Sequence, residues 1–227
     1  MKVTIAIIMG GYSSEYEISL LSGENVYKHL NRDVYSPYRV IISTDKWVCL
    51  DDTDKEYPVN KADFTVPMGS EKISFQCVFN AIHGTPGEDG LMQSYFKLLG
   101  LPQTSCGYYQ AALTFNKRDL LSVLKPYGIK AATSFYINKG DTINEDSIVK
   151  KVGLPCFVKA NKAGSSFGIS KVYSREQMLP AIEKAYLEDD EIIIESFLSG
   201  TEVSVGVITY KGATKVLPIT EIVTDND

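Results

Sequence analysis

A lysine set just before a run of small residues is the first feature with chemical consequences. Phe157-Val158-Lys159-Ala160 leads into Ala163-Gly164-Ser165-Ser166-Phe167-Gly168. A lysine at a strand end supplies positive charge, and the N–H groups of a flexible Gly/Ser loop can wrap phosphate oxygens. The order is not that of a Walker A loop, in which glycines precede Lys-Ser/Thr and a helix follows. Here a strand follows the loop, so a plain hairpin with a flexible tip is the competing reading.

Three other stretches have the same character. Gly10-Gly11-Tyr12-Ser13-Ser14-Glu15 closes the first apolar run, where glycines permit close backbone approach and a helix start offers free N–H groups. Glu15 there is either a ligand group or a favourable charge for the helix dipole. His83-Gly84-Thr85-Pro86-Gly87-Glu88-Asp89-Gly90 follows a second buried run and puts His83 at the sheet rim. The alternative is an ordinary loop whose acids cap the next helix. Glu195-Ser196-Phe197-Leu198 ends an apolar strand and could present main-chain groups to a flat base, with Glu202 accepting from ribose hydroxyls; solvated acids on an amphipathic strand pair are the alternative.

The elements that must carry these residues follow from periodicity. Val3–Met9, Tyr38–Ser43 and Phe75–Ile82 read as strands, with a short extra strand over Trp47–Leu50. Ser14 and Glu17 read as a capping box opening a helix to about Leu30, and Leu91, Tyr95, Leu98 and Leu99 give a second helical stripe ended by Gly100. Asp51–Gly69 is polar and turn-rich, an excursion from the sheet. This is an α/β arrangement with its ligand edge at the strand C-termini.

From Cys106 the pattern changes to helices over Gln110–Phe115, Arg118–Tyr127 and Ser147–Val152. Strands are expected over Ser134–Ile137, Cys156–Asn161, Ile169–Tyr173, Glu191–Phe197, Glu202–Tyr210 and Lys215–Val223. Ser174 and Gln177 suggest a further capping box, but Pro180 would break a helix interior, so that helix is expected to start late. Domains are expected over residues 1–105, 106–199 and 200–227.

Composition narrows the function classes. A net charge of -5 argues against a nucleic-acid or anionic-membrane surface. Four separated cysteines without a CxxC pair, and only two histidines, argue against a Cys/His zinc site and point to a reducing cytosol. The apolar run at the start is short and leads into Gly10-Gly11, which fits a buried strand better than a signal peptide.

Together the motifs resemble the D-alanine–D-alanine ligases of the ATP-grasp superfamily. Gly10-Gly11-x-Ser13-x-Glu15-x-Glu17-Ile18-Ser19-Leu20-x-Ser22-Gly23 resembles their opening signature, and His83-Gly84-x-x-Gly87-Glu88-Asp89-Gly90-x-x-Gln93 their second. Asn116-Lys117, Leu154-Pro155-x-x-Val158-Lys159, Gly164-Ser165-Ser166-x-Gly168-Ile169-Ser170-Lys171-Val172 and Glu195-x-x-x-x-Gly200-x-Glu202 follow in family order.

The resemblance implies a Rossmann-like parallel-sheet domain, the ATP-grasp central α+β domain and the start of the C-terminal ATP-grasp domain. It implies that ATP phosphorylates one D-alanine and that the amine of a second attacks the acyl phosphate, giving the dipeptide for peptidoglycan. By the same carry-over, Glu15 holds the first ammonium group, His83 lines that pocket, and Ser165 positions substrate in a network with Glu15. Lys117 and Lys159 would contact ATP phosphates, Phe157 would pack on adenine, Glu195, Ser196, Phe197 and Leu198 would read the base, and Glu202 the ribose. Mg2+, with Mn2+ as an alternative, a homodimer and a cytoplasmic location are further expectations.

Ala160 and Asn161 depart from the family pattern, where a proline and a serine or alanine are usual. The arginine, aspartate and Glu-x-Asn segment with which the family binds magnesium and stabilises the transition state would lie beyond Asp227, so the chain is expected to be a fragment without ligase activity by itself. A D-alanine–D-lactate ligase, or a non-catalytic module binding nucleotide or D-alanine, is the alternative.

Overall fold

The computed structural model describes residues 2–164 and 166–223. The chain forms two compact units, Met1–Ser196 and Phe197–Asp227.

The larger unit opens with β1 (Val3–Gly10), α1 (Tyr16–His29), β2 (Tyr35–Ile42), β3 (Trp47–Leu50) and β4 (Glu56–Pro58). A small antiparallel pair follows, β5 (Val66–Met68) with β6 (Glu71–Ile73), then β7 (Cys77–Asn80) and α2 (Leu91–Leu98). The main sheet runs β4-β3-β2-β1-β7. β1 is parallel to both β2 and β7, whereas β3 and β4 add antiparallel at one edge. Parallel central strands are covered on both faces. Accordingly Ala6 and Ile8 point into one core with Val40, Val78 and Phe96, and Ile5, Ile7 and Met9 into another on the opposite face. Cys49 is buried in this unit, and all four cysteines are free thiols.

The polar stretch Asp51–Gly69 is more ordered than its composition suggests. It contributes β4 and β5, and its Phe64 is 1% exposed at the centre of an aromatic cluster with Trp47, Phe75, Tyr95 and Phe96. One buried aromatic ring anchors a polar loop whose turn residues mask the signal.

The expected Ser14–Glu17 capping box is not formed. α1 starts at Tyr16, and the Ser14 hydroxyl donates to the Glu188 carboxylate at 2.9 and 3.2 Å instead. The box fails because Glu15, not Ser14, occupies the N-cap position, which leaves the Ser14 hydroxyl one residue outside the helix and free to donate to a distant carboxylate.

The second half comprises α3 (Tyr108–Phe115), α4 (Lys117–Leu124), β8 (Ser134–Asn138), α5 (Glu145–Val152), β9 (Cys156–Ala160), β10 (Ser170–Val172), α6 (Met178–Ala185) and β11 (Glu191–Ser196). Its antiparallel sheet runs β10-β9-β11-β8. Alternation sends Cys156, Val158, Ile192 and Ile194 into a core shared with α5 and α6. The Ser174–Gln177 capping box does form, around a single 3-10 turn. α6 proper begins at Met178, so Pro180 falls in its first turn, where no hydrogen bond is lost.

The smaller unit contains the hairpin β12 (Val203–Tyr210) and β13 (Ala213–Glu221), with a register irregularity between Val205 and Val207. No helix of the described residues is long and apolar enough to cross a membrane.

Candidate functional site

The C-terminal ends of β1 and β7 are tied together by one buried serine. The Ser19 hydroxyl on α1 accepts from Gly10 N–H at 3.0 Å and donates to the Ala81 carbonyl at 2.9 Å. This sets the loop after β1 beside the loop after β7. A second serine finishes the join: Ser13 Oγ donates to His83 O at 3.1 Å and accepts from Glu15 N–H at 3.2 Å.

Glu15 is 3% exposed, an unusual place for a carboxylate. Two glycines make room for it. A Cβ on Gly84 would lie 3.0 Å from Glu15 Oε2 and 2.5 Å from Ser13 Oγ, and Gly84 has a φ of +73° that L side chains rarely adopt. A Cβ on Gly164 would lie 3.0 and 3.1 Å from the two Glu15 oxygens. Three motifs separated by up to about 150 residues in sequence thus meet at one carboxylate. A cleft of about 160 Å³ opens there, lined by Tyr12, Ser14, Glu15, Thr85, Phe115 and Glu188 among others. Half-buried His83 is not among the cleft-lining side chains; its Nε2 lies 2.9 Å from Ser22 Oγ. Ser165 lies outside the described residues.

The second set of residues sits on the open face of the β8–β11 sheet. Register places Phe157 opposite Glu195 and Lys159 opposite Ile193, so these side chains share the face away from the core. Lys159 Nζ donates to Glu195 Oε2 at 2.9 Å, with the two side chains 25% and 15% exposed. The same ammonium lies 5.3 Å from the centre of the Phe157 ring. Lys171 joins this face, opposite Phe157.

Lys117, the first residue of α4, reaches the same region from the side. Its Nζ donates to the carbonyls of Asn161 at 3.2 Å and Ala163 at 2.6 Å, at the root of the Ala163–Gly168 loop. Burial pulls the Lys117 ammonium below the usual lysine range, and the nearby Lys159 charge adds to that. Glu195, Asp189 and Glu15 pull the other way.

Ser196 points to the core side of its strand pair and its Oγ accepts from Thr133 N–H at 3.0 Å. Phe197, Leu198 and Glu202 belong to the smaller unit: Phe197 is 40% and Leu198 66% exposed, and the Glu202 carbonyl accepts from Ile222 N–H at 2.9 Å. The sequence signalled the carboxylate and the lysines. It gave no role to Ser13, Ser19 or Ser22, although all three stand in the first motif and Ser19 and Ser22 lie three residues apart on α1.

Among the described residues no three His, Cys, Asp or Glu side chains stand together as ligands for a metal ion. The described residues assemble a buried anion beside a pair of amines on an aromatic-bearing sheet face. That arrangement suits a cationic small substrate next to a polyanionic one.

Two family models match. Residues 4–106 match the D-ala D-ala ligase N-terminus and residues 123–227 the D-ala D-ala ligase C-terminus. The D-alanine–D-alanine ligase of Flavobacterium johnsoniae is 71% identical over 98% of this chain and 69% of its own length. That of Christiangramia forsetii is 63% identical over 100% of this chain and 70% of its own length. Among solved structures, D-alanyl-alanine synthetase A from Vibrio cholerae has a TM-score of 0.86 at 27% identity, covering 99% of this chain and 68% of its own. The VanG D-Ala:D-Ser ligase from Enterococcus faecalis has a TM-score of 0.79 at 29% identity, covering 97% and 70%.

Proposed function

We propose a division of labour for the cleft from the premise that this chain belongs to the D-alanine–D-alanine ligase family. The family fixes the reaction class: ATP-dependent joining of D-alanine to D-alanine for peptidoglycan synthesis. The relatives named for a second D-alanine are 71% and 63% identical, against 29% for the D-serine enzyme, which favours D-alanine at both positions.

The observation that carries the assignment is the buried Glu15 carboxylate, enclosed by Gly84 and Gly164. A buried carboxylate that faces a cleft gains most from an ammonium partner. Glu15 then holds the ammonium group of the first D-alanine, and Ser165 positions the same substrate. By motif His83 is assigned to the same substrate from behind the cleft lining, with its ring turned to Ser22. Lys117 and Lys159 take the ATP phosphates and Phe157 packs on the adenine; by motif alone, Glu195, Ser196, Phe197 and Leu198 are assigned to the base and Glu202 to the ribose.

In this reading ATP phosphorylates the carboxylate of the first D-alanine and leaves as ADP. The amine of the second D-alanine attacks the acyl carbon and displaces phosphate. The lysines offset the repulsion between ATP and that carboxylate, and the Ala163–Gly168 loop shields the acyl phosphate from water. Mg2+, or Mn2+ in its place, would supply further charge compensation on the phosphates. Among the described residues no three His, Cys, Asp or Glu side chains stand together to hold it.

We also place domain boundaries after residues 105 and 199, in keeping with the separate cores of the β1–β7 and β8–β11 sheets. A homodimer and a cytoplasmic location complete the reading; four free thiols favour a reducing compartment.

The test is Glu15→Gln in the purified ligase. It should lower kcat/KM for D-alanine by about 10- to 100-fold, the loss of one charge-assisted hydrogen bond, and leave the KM for ATP unchanged. A rise in the ATP KM with intact D-alanine kinetics would refute the division.

A further inference from the structure

We propose that Asn161 is the positioning residue that locks Lys117 and the Ala163–Gly168 loop to one another. The proposal rests on the assignment of Lys117 to ATP phosphate. Asn161 is 1% exposed, and every polar group it carries is engaged. Its side-chain oxygen accepts from Arg118 N–H at 2.9 Å. Its side-chain nitrogen donates to Asn116 Oδ1 at 2.9 Å and Glu191 Oε2 at 2.8 Å. The amide can sit only this way round, because a backbone N–H needs the oxygen and two oxygens need the nitrogen.

The main chain repeats the pattern. Asn161 N–H donates to Glu191 O at 2.9 Å, and Asn161 O accepts from both Lys117 N–H at 3.4 Å and Lys117 Nζ at 3.2 Å. The first N–H groups of a helix have no partner within it. In α4 the three at Lys117, Arg118 and Asp119 go to Asn161 O, Asn161 Oδ1 and Asn116 Oδ1. Two of these three bonds are therefore made by a residue 44 and 43 positions away in sequence. The helix end that carries Lys117 is capped by the root of the loop.

A serine at position 161 could replace only part of this, and an alanine none of its side-chain bonds. The departure from the resembled motif thus has a consequence: helix cap, lysine and the root of the loop are held as one body.

The experiment compares variants of the purified ligase. Asn161→Asp keeps the size and the acceptor for Arg118 N–H. It removes the donor and sets a carboxylate against Asn116 Oδ1 and the Glu191 carboxylate. The KM for ATP should rise about tenfold, with nucleotide affinity by calorimetry falling in step, while the KM for D-alanine stays within about twofold. Glu191→Gln alone should leave the ATP KM within about twofold, because its new side chain still offers an acceptor. Combined with Asn161→Asp it should restore most of the lost affinity, since the amide at 191 can donate to the carboxylate at 161. Should Asn161→Asp fail to fold, Asn161→Ser is expected to give the same split at smaller amplitude. An unchanged ATP KM, parallel rises for both substrates, or no recovery in the double variant would overturn the proposal. Lys117→Ala separates the two levels. If it leaves ATP binding intact, the phosphate assignment itself fails; if it weakens binding while Asn161→Asp does not, only the role of Asn161 fails.

Discussion

On the first sheet the Glu15 carboxylate is 3% exposed and walled in by main chain at Gly84 and Gly164. Beside the second sheet the ammonium groups of Lys117 on α4 and Lys159 on β9 rest on flexible stems, one on two carbonyls and the other on Glu195. The anion is enclosed by main chain, and the cations lie on carbonyls and a carboxylate that another anion can replace. A small substrate of fixed size suits the first arrangement. A phosphate chain that must enter, react and leave suits the second, because its oxygens replace acceptors the lysines already hold. The two walls should therefore respond to different kinds of damage.

The largest effect is expected from crowding the rigid wall. Gly84→Ala would set a methyl group 2.5 Å from Ser13 Oγ at a φ of +73°. It should cost about 2–4 kcal/mol of stability and lower kcat/KM for D-alanine by about a hundredfold or more. Thermal denaturation and steady-state kinetics check both. A stable Gly84→Ala enzyme with normal D-alanine kinetics would show that the wall yields, and the contrast would collapse.

Removing a cation should be milder and selective. Lys159→Ala should weaken ATP binding by about 1.5–3 kcal/mol, read by calorimetry, and change the melting temperature little. Its partner Glu195, with a side chain 15% exposed, loses that ammonium, and any fall in melting temperature measures how far the pair is structural.

The pH response sharpens the same contrast. Burial lowers the affinity of Lys117 for its proton, and Lys159 lowers it further, against Glu195, Asp189 and Glu15. Binding of ATP needs the protonated form, so affinity is present at lower pH and is lost as pH rises through a value below that of an ordinary lysine. Calorimetry without D-alanine should show this alkaline decline, and Lys117→Arg should move it upward. A decline at the same pH in both proteins would remove Lys117 as its source.

The smallest effect concerns the link between the walls. Ser14 and Glu188 join residues 174 apart through an exposed hydrogen bond. Ser14→Ala should lower stability by less than about 1 kcal/mol. A larger loss in denaturant titration would make the walls one cooperative body, contrary to the comparison.

Much of this was legible in the residues. Continuous apolar runs marked β1 and β7, and their glycine-bearing ends marked the ligand rim. The Lys159–Gly168 order marked the hairpin of β9 and β10. Local rules failed where a partner came from far away. Ser14 falls outside the cap position and reaches Glu188, and Asn161 caps a helix that begins at Lys117. Phe64 hides a core residue inside a polar loop. Such choices are settled by tertiary contacts that no window of ten or so residues contains.

The antiparallel strands β3 and β4 bear on how the molecule avoids sticking to copies of itself. An open sheet edge offers unpaired N–H and C=O groups on which another chain can polymerise. β4 is three residues long and ends in Pro58. Since Val59 N–H points inward to Trp47 O, alternation turns the position of Pro58 outward, where an incoming strand would seek a donor. Glu56, paired with Lys46, adds charge to the same margin. The outermost strand is thereby a stop signal for sheet growth, guarding the apolar β1–β2–β7 interior from fibril-like stacking.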